Sequence, residues 1–505
     1  MATVTALPGA PAEHRGLAYW MDRVLKELDR LRHSPDKDAV HDVRVAIRRC
    51  RSVATVMREV DPDPAWHAMR RLPKKLFRKL GELRDTQIMD EWVADHGAEN
   101  DKLRVALHAF FQEKEPELVQ QTLRLAGKFD AKGWARLERK LRKRARLVPA
   151  GSLAAQCLAV ERLAEAKDLH SRALRADKPR TWHALRIGLK KFRYTVESLL
   201  PQQYEAWSAS LKQLQDLLGE VHDLDVLRGI IRQKATGEAA ALQPEWDRTI
   251  DRQRGARLQD YRELTLSKTS VFLDWQKALP QGKGLQTAAA ARLRATARAT
   301  DAHPRRAAHL SRLSVALFDA LHRARTAPVF EDPGMRRIVR AAARLSGLNL
   351  KRGGSSQKAA REFLLDRPAP PAWTSREWQL LAWTVRYHRG AEPKSKNNGF
   401  AGLREEQQMN VRALAGLIRL ARGLRKCGIE NCTGLRAERT SAAVLLYIPG
   451  LVDSAENAAR LAAAKHLLDS YLGKPLIPKP AARPEKVVAL PAPPPQELRI
   501  AAASD

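Results

Sequence analysis

The sequence predicts an all-α fold. Ala, Leu, Arg, Glu and Lys dominate it, apolar residues recur at three- and four-residue spacing, and alternating Val/Ile/Thr runs of the strand type are nearly absent. The residue types with low helix-entry cost are therefore the ones the chain uses most.

Helix boundaries follow from the turn-forming clusters. Breaks are expected at Ser34 to Asp38 (SPDKD), Asp61 to Pro64 (DPDP), Val148 to Ser152 (VPAGS), Asp177 to Pro179, Leu279 to Gly284 (LPQGKG) and Ala327 to Gly334 (APVFEDPG). All are short, as connections between packed helices are. A chain of 505 residues exceeds one ordinary core, so two or more domains are expected. The boundary is placed in a linker at 281–300. A disordered segment is expected at 1–13. A disordered Pro/Ala-rich tail is expected at 475–505, because PLIPKPAARPEKVVALPAPPPQ cannot bury a core.

Charge narrows the function. Ninety Lys and Arg against 57 Asp and Glu leave a formal charge of +33, which repels itself unless a polyanion or anionic surface offsets it. Nucleic acid, anionic lipid and polyphosphate all offer phosphate oxygens, so placement of the charge has to decide among them. The four cysteines (Cys50, Cys157, Cys427, Cys432) are too few for a disulfide scaffold and match no zinc-finger spacing, which fits a reducing cytoplasm. The N-terminus lacks the pattern of a secretory signal. No run reaches the roughly 18 apolar residues of a membrane span, and no membrane partner is expected.

One pattern occurs twice. His41-Asp-Val-Arg44-Val-Ala-Ile-Arg48-Arg49-Cys-Arg51 has the spacing H-x-x-R-x-x-x-R-R-x-R. His183-Ala-Leu-Arg186-Ile-Gly-Leu-Lys190-Lys191-Phe-Arg193 repeats it with Lys for two Arg. Each copy is followed by a related segment, Leu80-Gly81-Glu82-Leu-Arg-Asp85 and Leu218-Gly219-Glu220-Val-His-Asp223. The unit is helix, connection, helix, used twice.

At about 100° per residue, His41, Arg44, Arg48 and Arg51 fall within roughly 80° on one helix, as do His183, Arg186, Lys190 and Arg193 on the other. Val43, Ile47, Leu185, Leu189 and Phe192 lie on other faces and can anchor each helix to a core. Like charges three and four apart repel by a few tenths of a kcal/mol per pair, so each stripe is locally unfavourable. One such stripe is most simply a solvated face. Two in register within duplicated units argue for facing walls of one channel, lined by guanidinium, ammonium and imidazole donors that match phosphate oxygens. Lys75 and Arg78, with Arg71, Lys74 and Lys79, extend the basic surface of the first copy, whereas the second has Lys212 alone there. The dipeptides His41-Asp42 and His222-Asp223 lack further spaced ligands, so no metal site is assigned.

These residues resemble the conserved histidine α-helical domain (CHAD) over about 14–280. Both basic helices, both Leu-Gly-Glu segments and the run Lys191-Phe-Arg-Tyr-Thr-Val-Glu197 carry the resemblance. It implies two four-helix halves that bind inorganic polyphosphate, often on polyphosphate granules. Carried over by position, the binding residues are His41, Arg44, Arg48, Arg49, Arg51, His183, Arg186, Lys190, Lys191 and Arg193. The CYTH triphosphatase domain that often precedes CHAD is not expected.

The region 301–474 is similar to the helical, HD-like C-terminal domain of the exopolyphosphatase/guanosine pentaphosphate phosphohydrolase family. The similarity rests on Ala302-His303-Pro-Arg305-Arg306, Leu317-Phe-Asp-Ala-Leu-His322 and Thr384-Val385-Arg386-Tyr387-His388-Arg389. Where that family has Leu-His-Asp/Glu-x-Gly, this chain has Leu345-Ser-Gly-Leu348. Where the family has His-x-His, it has Lys358-Ala-Ala360. The resemblance therefore implies a degenerate, phosphate-binding domain, with Arg386, His388 and Arg389 as further phosphate contacts and Lys394 and Lys396 beside them. The bland alternative is an amphipathic helix whose tyrosine is core. Lys351 to Ser356 (KRGGSS) lacks a P-loop ending and reads as a turn. Trp373, Trp378 and Trp383 read as packing residues.

The expectation is a non-enzymatic, cofactor-free protein that binds inorganic polyphosphate. The alternatives are a phosphohydrolase acting on polyphosphate or phosphorylated nucleotides, and a nucleic-acid binder, the latter weakened by the lack of a recognition motif or stacking aromatics in the stripes. The oligomeric state stays open.

Overall fold

The computed structural model describes residues 16–301, 303–348, 350, 356–394, 399–430 and 433–482. The expected N-terminal segment 1–13, the turn at 351–355, Lys396, Cys432 and the tail beyond residue 482 lie outside the described residues.

The fold is all-α with one small sheet. In chain order the helices are α1 (Leu17–His33), α2 (Lys37–Met57), α3 (Pro64–Arg71), α4 (Lys74–Ala94), α5 (Lys102–Gly127), α6 (Ala131–Ala145), α7 (Leu153–Ala176), α8 (Pro179–Leu199), α9 (Pro201–Lys234), α10 (Gln243–Leu266), α11 (Val271–Lys277) and α12 (Gly282–Thr300). They continue with α13 (Pro304–Arg323), α14 (Pro333–Leu345), α15 (Ser356–Leu365), α16 (Ser375–Tyr387), α17 (Glu405–Lys426) and α18 (Ala455–Leu472). Strands β1 (Arg436–Arg439), β2 (Val444–Pro449) and β3 (Leu476–Ala481) lie in the order β1-β2-β3, with β1 antiparallel and β3 parallel to β2.

The chain divides into two compact units. The first comprises the residues up to Pro304 together with Gly347–Trp378, and the second comprises Arg305–Ser346 and the residues from Gln379 onward. In the first unit, α2 starts where Asp36 accepts a hydrogen bond from the Ala39 amide at 2.6 Å, satisfying a donor that the helix itself leaves unpaired. It buries Val40, Val43, Ile47 and Ala54 at the three- and four-residue spacing the sequence showed. The start of α8 carries Pro179, and the Thr181 hydroxyl accepts from the Lys178 amide at 3.2 Å. Trp182, Leu185, Leu189, Phe192 and Val196 form its buried face. These apolar faces enter one core with Met21, Leu28, Leu158 and Leu218, so α2 and α8 are held by their backs and their basic faces are left for other contacts.

Two sequence expectations require correction. The stretch expected as a linker, 281–300, is helix α12, whose Ala288, Ala289 and Ala297 are buried. Its Arg292, 3% exposed, forms an ion pair with Glu161 of α7 at 3.0 Å. Alanines on one face let two helices approach closely, a packing signal that composition alone hides. The first residues of the expected disordered tail form β3, where Leu476 is buried and Leu476 to Ala481 pair with Val444 to Pro449. A proline at Pro478 or Pro480 has no amide to donate, but an edge strand tolerates it. The run at β2 is too short for its period to be read without a partner.

Candidate functional site

The basic faces of α2 and α8 come together in the first unit. Arg48 and Arg186 lie close enough to Arg44 and Lys190 to depress the protonation of both. Burial first, then Arg186, Arg48 and Arg44, push the Lys190 ammonium down to about 7. Burial, Arg48, Arg186 and Arg84 lower Arg44, against the opposing effect of Asp85. At an effective dielectric near 20, two like charges about 6 Å apart repel by roughly 3 kcal/mol. Folding that drives several cations together therefore makes a groove prepared for negative charge.

Few carboxylates answer these cations. Asp85 of α4 lies 3.6 Å from Arg44. Among the described residues no carboxylate comes within 4.0 Å of Arg48, Arg186, Lys190 or Arg193. The Nε atoms of Arg48, Arg186 and Arg193 are buried without a hydrogen-bond partner, a costly state for a donor unless a ligand or water meets it. Asp223 of α9 faces Arg186, Lys190 and Arg44. Burial and the neighbouring Asp85 raise its carboxyl to about 6 despite those cations.

Histidines line the same region. His41 is exposed at the start of α2, and burial of its ring edge with Arg48, Arg84 and Arg44 lowers its protonation. His183 Nδ1 lies 3.1 Å from His222 Nδ1. Burial, Arg186, His183 and Lys190 push His222 down to about 4, and burial, Arg186 and Lys190 lower His183. Burial and the surrounding cations thus favour the neutral form of these imidazoles.

The other expected contacts divide. Arg49 turns to Glu197, with which it forms an ion pair, and packs over the rings of Trp20 and Tyr194 at 5.3 and 5.7 Å. Burial and Arg48 hold its guanidinium down to about 10. Arg51 donates to the Arg70 carbonyl at 2.9 Å and covers the Phe77 ring at 4.8 Å. Lys191 donates to Glu165 of α7 at 2.6 Å. These three hold helices together, because a one-residue step rotates a helical side chain by about 100° and a one-turn step moves it along the axis. Lys75 is exposed on α4, and Arg78, also exposed, sits 3.6 Å from Glu82.

Arg84, Asp85, His222 and Asp223 were not counted among the expected contacts. Their signal lay in the second half of each repeat, where the Leu-Gly-Glu segments end in Arg84-Asp85 and His222-Asp223. Among the described residues no three His, Cys, Asp or Glu side chains converge as a metal site would require.

In the second unit, Arg386 packs near the Tyr387 ring at 5.3 Å and Arg389 is exposed. His388 requires correction as a surface contact. It is 1% exposed, its Nδ1 donates to the Val385 carbonyl at 2.6 Å, and burial pushes it down to about 3. Trp373 and Trp378 of the first unit and Trp383 of the second are buried.

Residues 16–232 match the family model described as CHAD domain. The crystal structure of the CHAD domain from the plant Ricinus communis is similar at 21% identity with a TM-score of 0.33, covering 52% of this chain and 90% of that chain. No curated protein matches. The chain carries a CHAD domain at 16–232, and that domain contains the groove between α2 and α8.

Proposed function

We propose that the CHAD domain of residues 16–232 holds inorganic polyphosphate in the groove between α2 and α8 and performs no reaction on it. The observation that carries this is the convergence of Arg44, Arg48, Arg186 and Lys190 from the two copies of one repeat, mutually repelling and mostly without carboxylates. Guanidinium groups bind phosphate oxygens in pairs, the ammonium adds a point charge, and His41, His183 and His222 gain donors when an adjacent anion protonates them. A linear polymer with charge at every unit meets a row of such donors. The rings beside the stripes, Tyr194 and Trp20, lie under Arg48 and Arg49 instead of offering stacking faces, which favours polyphosphate over nucleic acid. Arg386, Arg389 and Lys394 of the second unit are proposed as further phosphate contacts in a degenerate exopolyphosphatase-like domain, and association with polyphosphate granules follows from the same chemistry.

The test compares the wild type with a variant carrying Arg44→Glu, Arg48→Glu, Arg186→Glu and Lys190→Glu. Binding to long-chain polyphosphate is measured across a salt series, with RNA and duplex DNA as competitors and orthophosphate release followed in the same samples. The expected loss is roughly a hundredfold or more, with no release by the wild type. Unchanged affinity in the variant removes the groove. Preference for RNA or DNA at matched phosphate replaces polyphosphate as the ligand, and metal-dependent release makes the protein a hydrolase.

A further inference from the structure

A second cationic track lies on α6, outside the repeated helices. Lys132, Arg136, Arg139 and Lys143 of this helix and Arg146 just after it follow one another at four- and three-residue steps, which places them within about 80° on one face. All five are exposed. The opposite face is anchored by Trp134 and Leu141, both at 0% exposure, with the Trp134 Nε1 donating to the Met21 carbonyl at 2.9 Å. The helix therefore cannot turn this face inward.

The nearby acids are committed elsewhere. Glu138 takes Arg142 at 2.8 Å, Asp63 takes Lys140 at 2.8 Å, and Asp61 takes Arg144 at 2.5 Å. Among the described residues no carboxylate comes within 4.0 Å of Lys132, Arg136, Arg139, Lys143 or Arg146. A surface hollow of about 490 Å³ is lined only by cationic side chains, Arg136, Arg139, Lys140, Lys143 and Arg144.

This face also connects to the groove. Arg142 and Arg146 line a cavity of about 960 Å³ together with Arg49 and Trp20. Arg49 in turn is within electrostatic reach of Arg48 and Arg193. Glu197, the partner of Arg49, and Glu205 also line this cavity, so the groove and the α6 face are neighbours across a cavity of mixed charge. With its apolar side chains turned into the core, α6 offers a membrane no face to insert, and its exposed side carries no aromatic ring for a base to stack on.

We propose that the exposed face of α6 is a second track for the same linear phosphate polymer, engaged by chains that outreach the groove. It rests on the polyphosphate reading of the groove. The α2 stripe spans about 10 Å from His41 to Arg48, and the α6 stripe adds about 21 Å from Lys132 to Arg146. Chain-length preference is thereby built into the domain, with short chains held by α2 and α8 and long chains gaining the contacts on α6.

The experiment uses the full chain with Arg136→Gln, Arg139→Gln and Lys143→Gln, exposed positions where glutamine keeps helix propensity. Affinity is measured for an oligophosphate no longer than the groove, for polyphosphate many times longer, and for single-stranded RNA. A thermal melt checks the fold. The expected result is a loss of roughly tenfold for the long polymer, a salt slope shallower by about 2, and no change for the short one. Unchanged long-chain affinity overturns the proposal, as does an equal loss for short and long chains. A loss confined to RNA assigns the surface to nucleic acid and overturns it too. The groove variant of the preceding section, tested alongside, separates the two ideas. If it binds short chains normally, the groove reading fails, while a long-chain loss in the α6 variant still upholds the α6 track as a polyphosphate surface.

Discussion

His183 of α8 and His222 of α9 meet with their Nδ1 atoms 3.1 Å apart. One of these nitrogens must donate and the other accept, so the accepting ring is neutral, and protonating both Nδ1 atoms breaks the contact. Burial first, and then Arg186 and Lys190, favour the neutral form of both rings.

Polyphosphate is therefore expected to raise the protonation of both rings. His222, held at about 4 by burial and by Arg186, His183 and Lys190, should move toward the ordinary histidine range once the polymer's negative charge offsets those cations. Titration of the imidazole resonances by NMR, with and without polymer, measures this. Identical midpoints in the two series would place the anion away from His222.

Binding should weaken as pH rises. Lys190 at about 7 and Asp223 at about 6 are both shifted upward by a bound polyanion, so the complex holds more protons than the free protein. By linkage, affinity then falls with increasing pH over about 6 to 8. Lys190→Arg, charged throughout, should flatten the upper part of that profile. Calorimetry in buffers of differing ionisation enthalpy reads the proton uptake directly, and its absence in the wild type would rule the coupling out.

Asp61 is a structural anchor independent of the groove. It is 0% exposed, accepts from Arg144 Nε at 2.6 Å and from Trp66 Nε1 at 2.7 Å, and ties the start of α3 to the end of α6. Asp61→Ala leaves the Trp66 indole donor unmatched and the Arg144 guanidinium with only Asp63 at 3.4 Å and the Ala299 carbonyl at 3.0 Å, and should destabilise the first unit by about 2 to 3 kcal/mol. Denaturant unfolding checks this. A cost below about 1 kcal/mol would mean that solvent compensates both donors.

His388→Ala should lower the stability of the second unit by roughly 2 kcal/mol or more, through a cavity and the lost bond to Val385. Because the ring is 1% exposed, polyphosphate affinity should not change. A selective loss of affinity with normal unfolding would return His388 to the set of ligand contacts.

Much of the groove was legible in the residues. The repeat gave the spacing of His41, Arg44 and Arg48 and of His183, Arg186 and Lys190, and helical geometry put each set on one face. Arg49, Arg51 and Lys191 shared the motif but not its environment. Their partners, Glu197, the Arg70 carbonyl and Glu165, come from elements distant in sequence, and no periodicity encodes them. His388 looked like a neighbour of two arginines, whereas packing turned it inward.

The sequence by itself determined the helices, their turn-rich boundaries, the duplicated basic stripes and the excess of positive charge, because these follow from local propensity and a fixed angular step per residue. Only the tertiary structure decided which cations stay unpaired, that Asp85 and Asp223 enter the groove, that α12 is packed instead of linking, and that Leu476 to Ala481 form a strand. Those outcomes depend on which distant surfaces meet, where burial and opposing charges set the energy of each side chain.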